Sequence, residues 1–224
     1  MRADEAVAEL RRRADPSRKQ GMARVGIDVS HAIGVSMPNI RAVAKRCGTH
    51  QELADQLWDT GIHEARMLAT LVADPNALTD DEMDRWAGDV TSWDVCDSAA
   101  DVFGRTPLAE RKIRAWAKSS EGYVKRCAFS MIARRAVWDE GARDREFLGY
   151  LGLIRRGATD PRNEVKKGVS WALRQIGKRN AALHEAAIEE AERLVATDVP
   201  RARWIGRDAL RELRSTEVLR RLSG

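Results

Sequence analysis

A chain of 224 residues, 43% hydrophobic and 33% charged, has one domain's length and enough apolar content for a packed core. That composition excludes disorder; no glycine period suggests collagen, and no run of roughly 20 apolar residues is present to span a membrane. The net charge of +5 conceals segregation: residues 49–104 carry −11, whereas residues 121–179 carry +7 and include 14 Lys and Arg. Such a basic block fits a polyanionic partner, nucleic acid foremost, with a solvated charged face as the plain alternative.

Helical punctuation recurs along nearly the whole chain, and alternating strand patterns and Asn-Gly hairpin signals are missing, so the expected fold class is all-α. The opening MRADEAVAELRRRAD reads as a charged amphipathic helix near 3–14. It lacks the apolar run and small-residue cleavage site of a secretory leader, so a cytoplasmic location is the default expectation. Residues 15–35 are the least regular stretch, expected as a loop with a short helix. Ser36, with Pro38 just inside, starts a helix near 37–47, and helices near 50–59 and 62–74 follow. Thr79 with Glu82 three positions on is a capping box for a helix near 80–89, and Ser92 caps one near 93–103. Thr106 with Pro107 opens a helix near 107–118, helices near 121–137 and 142–156 follow, and Asp160 with Pro161 opens one near 161–178. The last two lie near 181–196 and, opened by Pro200, near 200–214.

In the second half, similar elements begin near 121, 161 and 200, a step of about 40 residues per helix pair, which is the HEAT and armadillo period. Stacked pairs of that kind build a curved α-solenoid with a concave face, so residues 1–224 are read as a single HEAT-like-repeat domain, with an irregular helical bundle as the alternative.

Cys47, Cys96 and Cys127 lie far apart without CxxC spacing, and His31, His50, His63 and His184 form no ligand spacing, so neither a disulfide framework nor a metal site is expected. The KKG at 166–168 lacks the upstream glycine and following hydroxyl of a P-loop, so no nucleotide cofactor is expected.

Three helices place polar chemistry opposite their apolar stripes. In the helix near 161–178, Val165, Val169, Ala172, Leu173 and Ile176 form one stripe, with Lys167, Trp171, Arg174 and Lys178 on the other side. A tryptophan framed by cations suits a nucleic-acid backbone, although packing on a neighbouring repeat is the favoured reading of a lone off-stripe tryptophan. In the helix opened by Ser92, Val95, Ala99, Val102 and Phe103 face inward, and Trp93 and Asp97, spaced i and i+4, share the far side. In EGYVKRCAFSMIARRAVW, Val124, Ala128, Met131 and Ile132 form the expected stripe and Arg126 lies roughly opposite. On a curved array these faces converge. A carboxylate within a surface that otherwise suits polyanion repels phosphate, and a catalytic task explains its presence. Trp58, Trp86, Trp116, Trp138 and Trp204 are read as packing groups between repeats.

SWDVCD (92–97), YVKRCAF (123–129) and VKKGVSWALRQIGKRN (165–180), with weaker agreement from IGVSMPNIRAVAK to ARWIGRDALREL, resemble the AlkD-like DNA alkylation repair family of HEAT-like-repeat DNA glycosylases. The resemblance implies that Trp93 and Trp171 pack against the lesion nucleotide's backbone, that Asp97 is the catalytic carboxylate, and that Arg126 is its cationic neighbour at the phosphate. It makes Arg174 a further DNA contact, and Lys125, Lys166, Lys167 and Lys178 from the same segments are expected to bind DNA with it. The implied activity is removal of cationic N3- or N7-alkylated purines from double-stranded DNA without flipping the base. A monomer is the default expectation, and no cofactor is expected. The competing class is a noncatalytic HEAT-like DNA-binding or protein-scaffold module.

Overall fold

The computed structural model describes residues 1–222 and contains, among them, 14 α-helices and no strand, which is the all-α class that the sequence leads one to expect. No helix among the described residues is long and apolar enough to cross a membrane. The chain gathers into two compact units, Met1–Leu108 and the part from Ala109 onward.

The first unit comprises α1 (Ala3–Arg12), α2 (Arg18–Arg24), α3 (Met37–Cys47), α4 (Gln51–Asp59), α5 (His63–Val72), α6 (Asp80–Asp89) and α7 (Trp93–Phe103). The Thr79 capping box forms: the Glu82 N–H donates to Thr79 Oγ1 at 3.2 Å, and the Thr79 N–H donates to Glu82 Oε2 at 2.7 Å. Trp58 and Trp86 are fully buried and stacked, ring centroids 4.3 Å apart. Each indole N–H finds a carboxylate, Trp58 donating to Asp89 at 3.0 Å and Trp86 to Asp55 at 3.2 Å. An aromatic pair with both donors satisfied anchors this core, and truncating either ring costs about 3–5 kcal/mol. The irregular stretch before α3 is held by Glu64, whose buried carboxylate accepts the N–H groups of Ile33, Gly34 and Val35 at 2.9, 2.6 and 3.1 Å. Gly34 adopts φ +88°, and a Cβ there would stand 2.1 Å from the Asp15 carbonyl oxygen, so glycine is required.

The second unit comprises α8 (Ala109–Trp116), α9 (Gly122–Trp138), α10 (Asp144–Gly157), α11 (Asn163–Ile176), α12 (Ala181–Val195), α13 (Pro200–Leu213) and α14 (Thr216–Leu222). Helices α9, α11 and α13 pack in register, with repeated cross-helix contacts 38 positions apart: Arg126 with the Glu164 carbonyl, Ser170 with Asp208, and Arg174 with Glu212. That spacing is the repeat period legible in the second half. The α12–α13 crossing is tight, since a Cβ on Gly206 would lie 2.4 Å from the Ala191 carbonyl oxygen. Helix α14 has no counterpart among the expected elements.

Two expected helix starts are displaced. Helix α8 begins at Ala109, because the Thr106 hydroxyl donates to the Phe103 carbonyl at 2.9 Å and so closes α7 instead of capping the next helix. Helix α11 begins at Asn163 with Arg162 before it, and Asp160 is occupied by Lys125 at 2.8 Å and by Arg162. The hydrogen bond from Arg162 and, against the opposing effect of burial, that from Lys125 hold the Asp160 carboxyl far below the usual range.

Candidate nucleic-acid interface

Helix α7 presents its features as its apolar spacing requires. Val95, Ala99, Val102 and Phe103 are buried. Opposite them lie Trp93, 37% exposed, and Asp97, half-buried, one turn apart on one helix face. The Trp93 indole N–H donates to the Val25 carbonyl at 3.0 Å, which fixes the ring while leaving much of it open to solvent.

The first turn of α7 is pinned by a contact that no local spacing announces. Asp94 accepts the Ser92 hydroxyl at 2.6 Å and the Val95 N–H at 3.0 Å, and it pairs with the buried His63 Nε2 at 3.0 Å. Burial pushes the Asp94 carboxyl up, but the hydrogen bond and charge of His63, with the Ser92 and Val95 donors, outweigh it and hold the group below its usual range. Asp94 thereby positions the helix that carries Trp93 and Asp97. His63 lies 31 positions before Asp94, so no local motif joins the two.

On α11 the expected stripe is fully buried: Val165, Val169, Ala172, Leu173 and Ile176 have no solvent exposure. Trp171 is half-exposed, with the Arg134 guanidinium 5.4 Å from its ring centroid. Arg126 departs from expectation. It is buried against α11, with one guanidinium N–H donating to the Glu164 carbonyl at 3.0 Å, whereas Val124 is only half-buried. A single apolar stripe does not describe α9, which packs against α8, α10 and α11 together, so that every residue from 126 to 133 is buried.

The five expected DNA-binding cations divide sharply. Lys125 is mostly buried and paired with Asp160. Arg174 and Lys178 both bind Glu212, and Arg174 also approaches Asp208 at 3.6 Å. Lys166 and Lys167 form no ion pair with any described residue; their ammonium groups lie 4.5 and 4.7 Å from the centroid of the Trp204 ring. Trp204, expected to be buried between repeats, is half-exposed, and Trp138 is likewise half-exposed. Trp58, Trp86 and Trp116 are buried as expected. Within the units, then, Trp93 joins Asp97 on α7, while Lys166 and Lys167 join Trp204 across α11 and α13.

No group of three or more His, Cys, Asp or Glu among the described residues is placed to hold a metal ion. A family model described as "DNA alkylation repair enzyme" matches residues 6–213. A solved structure described as "A new family of proteins related to the HEAT-like repeat DNA glycosylases with affinity for branched DNA structures" is 20% identical, with a TM-score of 0.78 over 94% of this chain and 95% of that one. It shares the fold. An engineered protein also aligns at 15% identity and a TM-score of 0.43, over 95% of this chain and 98% of its own. A designed armadillo repeat protein aligns at 15% identity and a TM-score of 0.34, over 79% of this chain and 92% of its own. No curated protein matches the sequence.

Proposed function

The chain belongs to the DNA alkylation repair enzyme family, and from that premise we propose that it is a monomeric DNA glycosylase hydrolysing the N-glycosidic bond of cationic N3- or N7-alkylated purines in duplex DNA without flipping the base. The observation that carries this reading is the pairing of Trp93 and Asp97 on the solvent side of α7, an exposed indole with a carboxylate one turn away.

The chemistry needs few groups. Alkylation at N3 or N7 makes the purine cationic, so when the bond to C1′ breaks, its electron pair goes to the purine and the base departs neutral. Little acid catalysis of the leaving group is required. The sugar gains oxocarbenium character, which an anionic Asp97 stabilises while it orients the water that adds to C1′; loss of that water's proton completes the abasic site. Trp93 and Trp171 offer electron-rich faces to the lesion nucleotide's backbone. Arg126, immobilised against α11, fits a fixed positive charge near a phosphate better than a mobile arm. Lys166 and Lys167 are the readiest phosphate contacts, whereas Lys125, Arg174 and Lys178 reach DNA only by exchanging carboxylate partners.

Base release from a duplex carrying one N7-methylguanine tests the proposal, with spontaneous depurination subtracted. Wild type is expected to release the base, and Asp97→Asn to lose at least about a hundredfold in rate while retaining duplex binding. Release by Asp97→Asn at the wild-type rate removes Asp97 from the mechanism, and equally fast excision of uracil removes the requirement for a cationic lesion. A second reading, a noncatalytic DNA-binding protein of the same fold, is favoured by the structural likeness to a protein with affinity for branched DNA. Spontaneous-rate release by a wild type that binds DNA selects it.

A further inference from the structure

We infer that Trp204 belongs to the DNA-binding surface, holding the Lys166 and Lys167 ammonium groups side by side as a clamp for one backbone phosphate, with Arg201 and Arg207 extending the contact along α13. The inference rests on the reading that DNA is the partner.

Consecutive residues on a helix point about 100° apart, so neighbouring lysines ordinarily diverge into water. Here both ammoniums sit against one ring, at 4.5 and 4.7 Å from its centroid. The negative face of the indole offsets the repulsion between the two cations and limits their freedom before any ligand arrives. Neither lysine has a carboxylate partner among the described residues, so the charge that the ring gathers is not neutralised within the protein.

Arg201 and Arg207 lie three positions before and after Trp204, on the same face of α13. Both are exposed, and neither forms an ion pair with a described residue. The α13 carboxylates lie four and eight positions after Trp204 and are already engaged: Asp208 by Ser170 and Arg211, Glu212 by Arg174 and Lys178. The result is two cations on the indole and two more one turn to either side of it along α13. Its fit is to a backbone with closely spaced phosphates, each able to accept both ammoniums through separate oxygens.

Binding of an undamaged labelled duplex, followed by anisotropy between about 50 and 200 mM salt, separates the clamp from the chemistry. Lys166→Gln with Lys167→Gln is expected to weaken binding about tenfold and flatten the log–log salt slope by about 1. Trp204→Ala removes no charge, yet is expected to weaken binding about threefold to fivefold and flatten the slope in the same direction, with Trp204→Phe between it and wild type. Wild-type affinity and slope in Trp204→Ala, with helicity intact, overturn the clamp. If Trp204→Ala fails to fold, wild-type behaviour in both Trp204→Phe and the double lysine variant overturns it. Wild type that binds this duplex yet releases N7-methylguanine from a damaged one only at the spontaneous rate leaves the clamp standing and refutes the glycosylase. Wild type that binds no duplex even at the lowest salt refutes both, and competition by polyglutamate equal to that of duplex overturns the choice of DNA as occupant.

Discussion

At the amino end of α11, Lys166 and Lys167 lie over the Trp204 ring without a carboxylate partner among the described residues, whereas Arg174, about two turns further on, and Lys178, just past the helix end, are both bound by Glu212. The two ends draw on the same residue types and face the same helix, α13. What separates them is the side chain that α13 presents: an indole gathers cations and leaves their charge available, while a carboxylate gathers and neutralises them. The basic block at 121–179, with its net +7, therefore overstates the charge ready to meet a polyanion. Lys125 and Asp160 repeat the lesson between α9 and the start of α11.

The sharpest way to break this division is to disturb its neutralised end. Asp208 is nearly buried, accepts the Ser170 hydroxyl at 2.7 Å and pairs with Arg174 and Arg211. Asp208→Ala strands a buried hydroxyl and loosens Arg174, and is expected to destabilise the fold by about 3 kcal/mol in urea denaturation, with Ser170→Ala nearer about 1 kcal/mol. An unchanged midpoint would show that this end of α11 has no structural task.

Glu212→Gln sharpens the contrast with opposite signs in two assays. Stability is expected to fall by about 0.5–1 kcal/mol, because the ion pairs are partly exposed. Duplex affinity is expected to rise about threefold, with a steeper salt dependence, as Arg174 and Lys178 are released. Loss of affinity in that variant would mean that Glu212 orients these cations for DNA.

The smallest effect is the pH dependence of the same carboxylate. Burial pushes the Glu212 carboxyl up, but the hydrogen bonds and charges of Lys178 and Arg174 outweigh it and hold the group below its usual range. A depressed folded value contributes stability that is present above the unfolded value and lost as pH falls through the folded one. The stability gap between wild type and Glu212→Gln is therefore expected to be widest near neutrality and to close on acidification below the ordinary glutamate range. A gap independent of pH in denaturation midpoints would assign it to packing instead of charge.

Local geometry accounts for what was readable beforehand. The Thr79–Glu82 box, the buried stripe of α11 and the shared face of Trp93 and Asp97 all follow from 3.6 residues per turn. Thr106 and Asp160 carried the same kind of cap signal, yet the Phe103 carbonyl and Lys125 claimed them. A capping residue has one preferred site among several competing donors and acceptors, and sequence neighbours alone do not rank them.

The sequence by itself determined the all-α class, the family and the step of the second-half repeat, since periodicity and contiguous segments are properties of the chain read in order. Only the tertiary structure decided that Arg126 is buried, that His63 anchors Asp94, and that Trp204 lies half-buried against two lysines. Each of those outcomes depends on a helix supplied from 30 or more positions away in the sequence. Whether a cation remains available is settled by the side chain packed against it, and that partner is chosen by the register of whole helices.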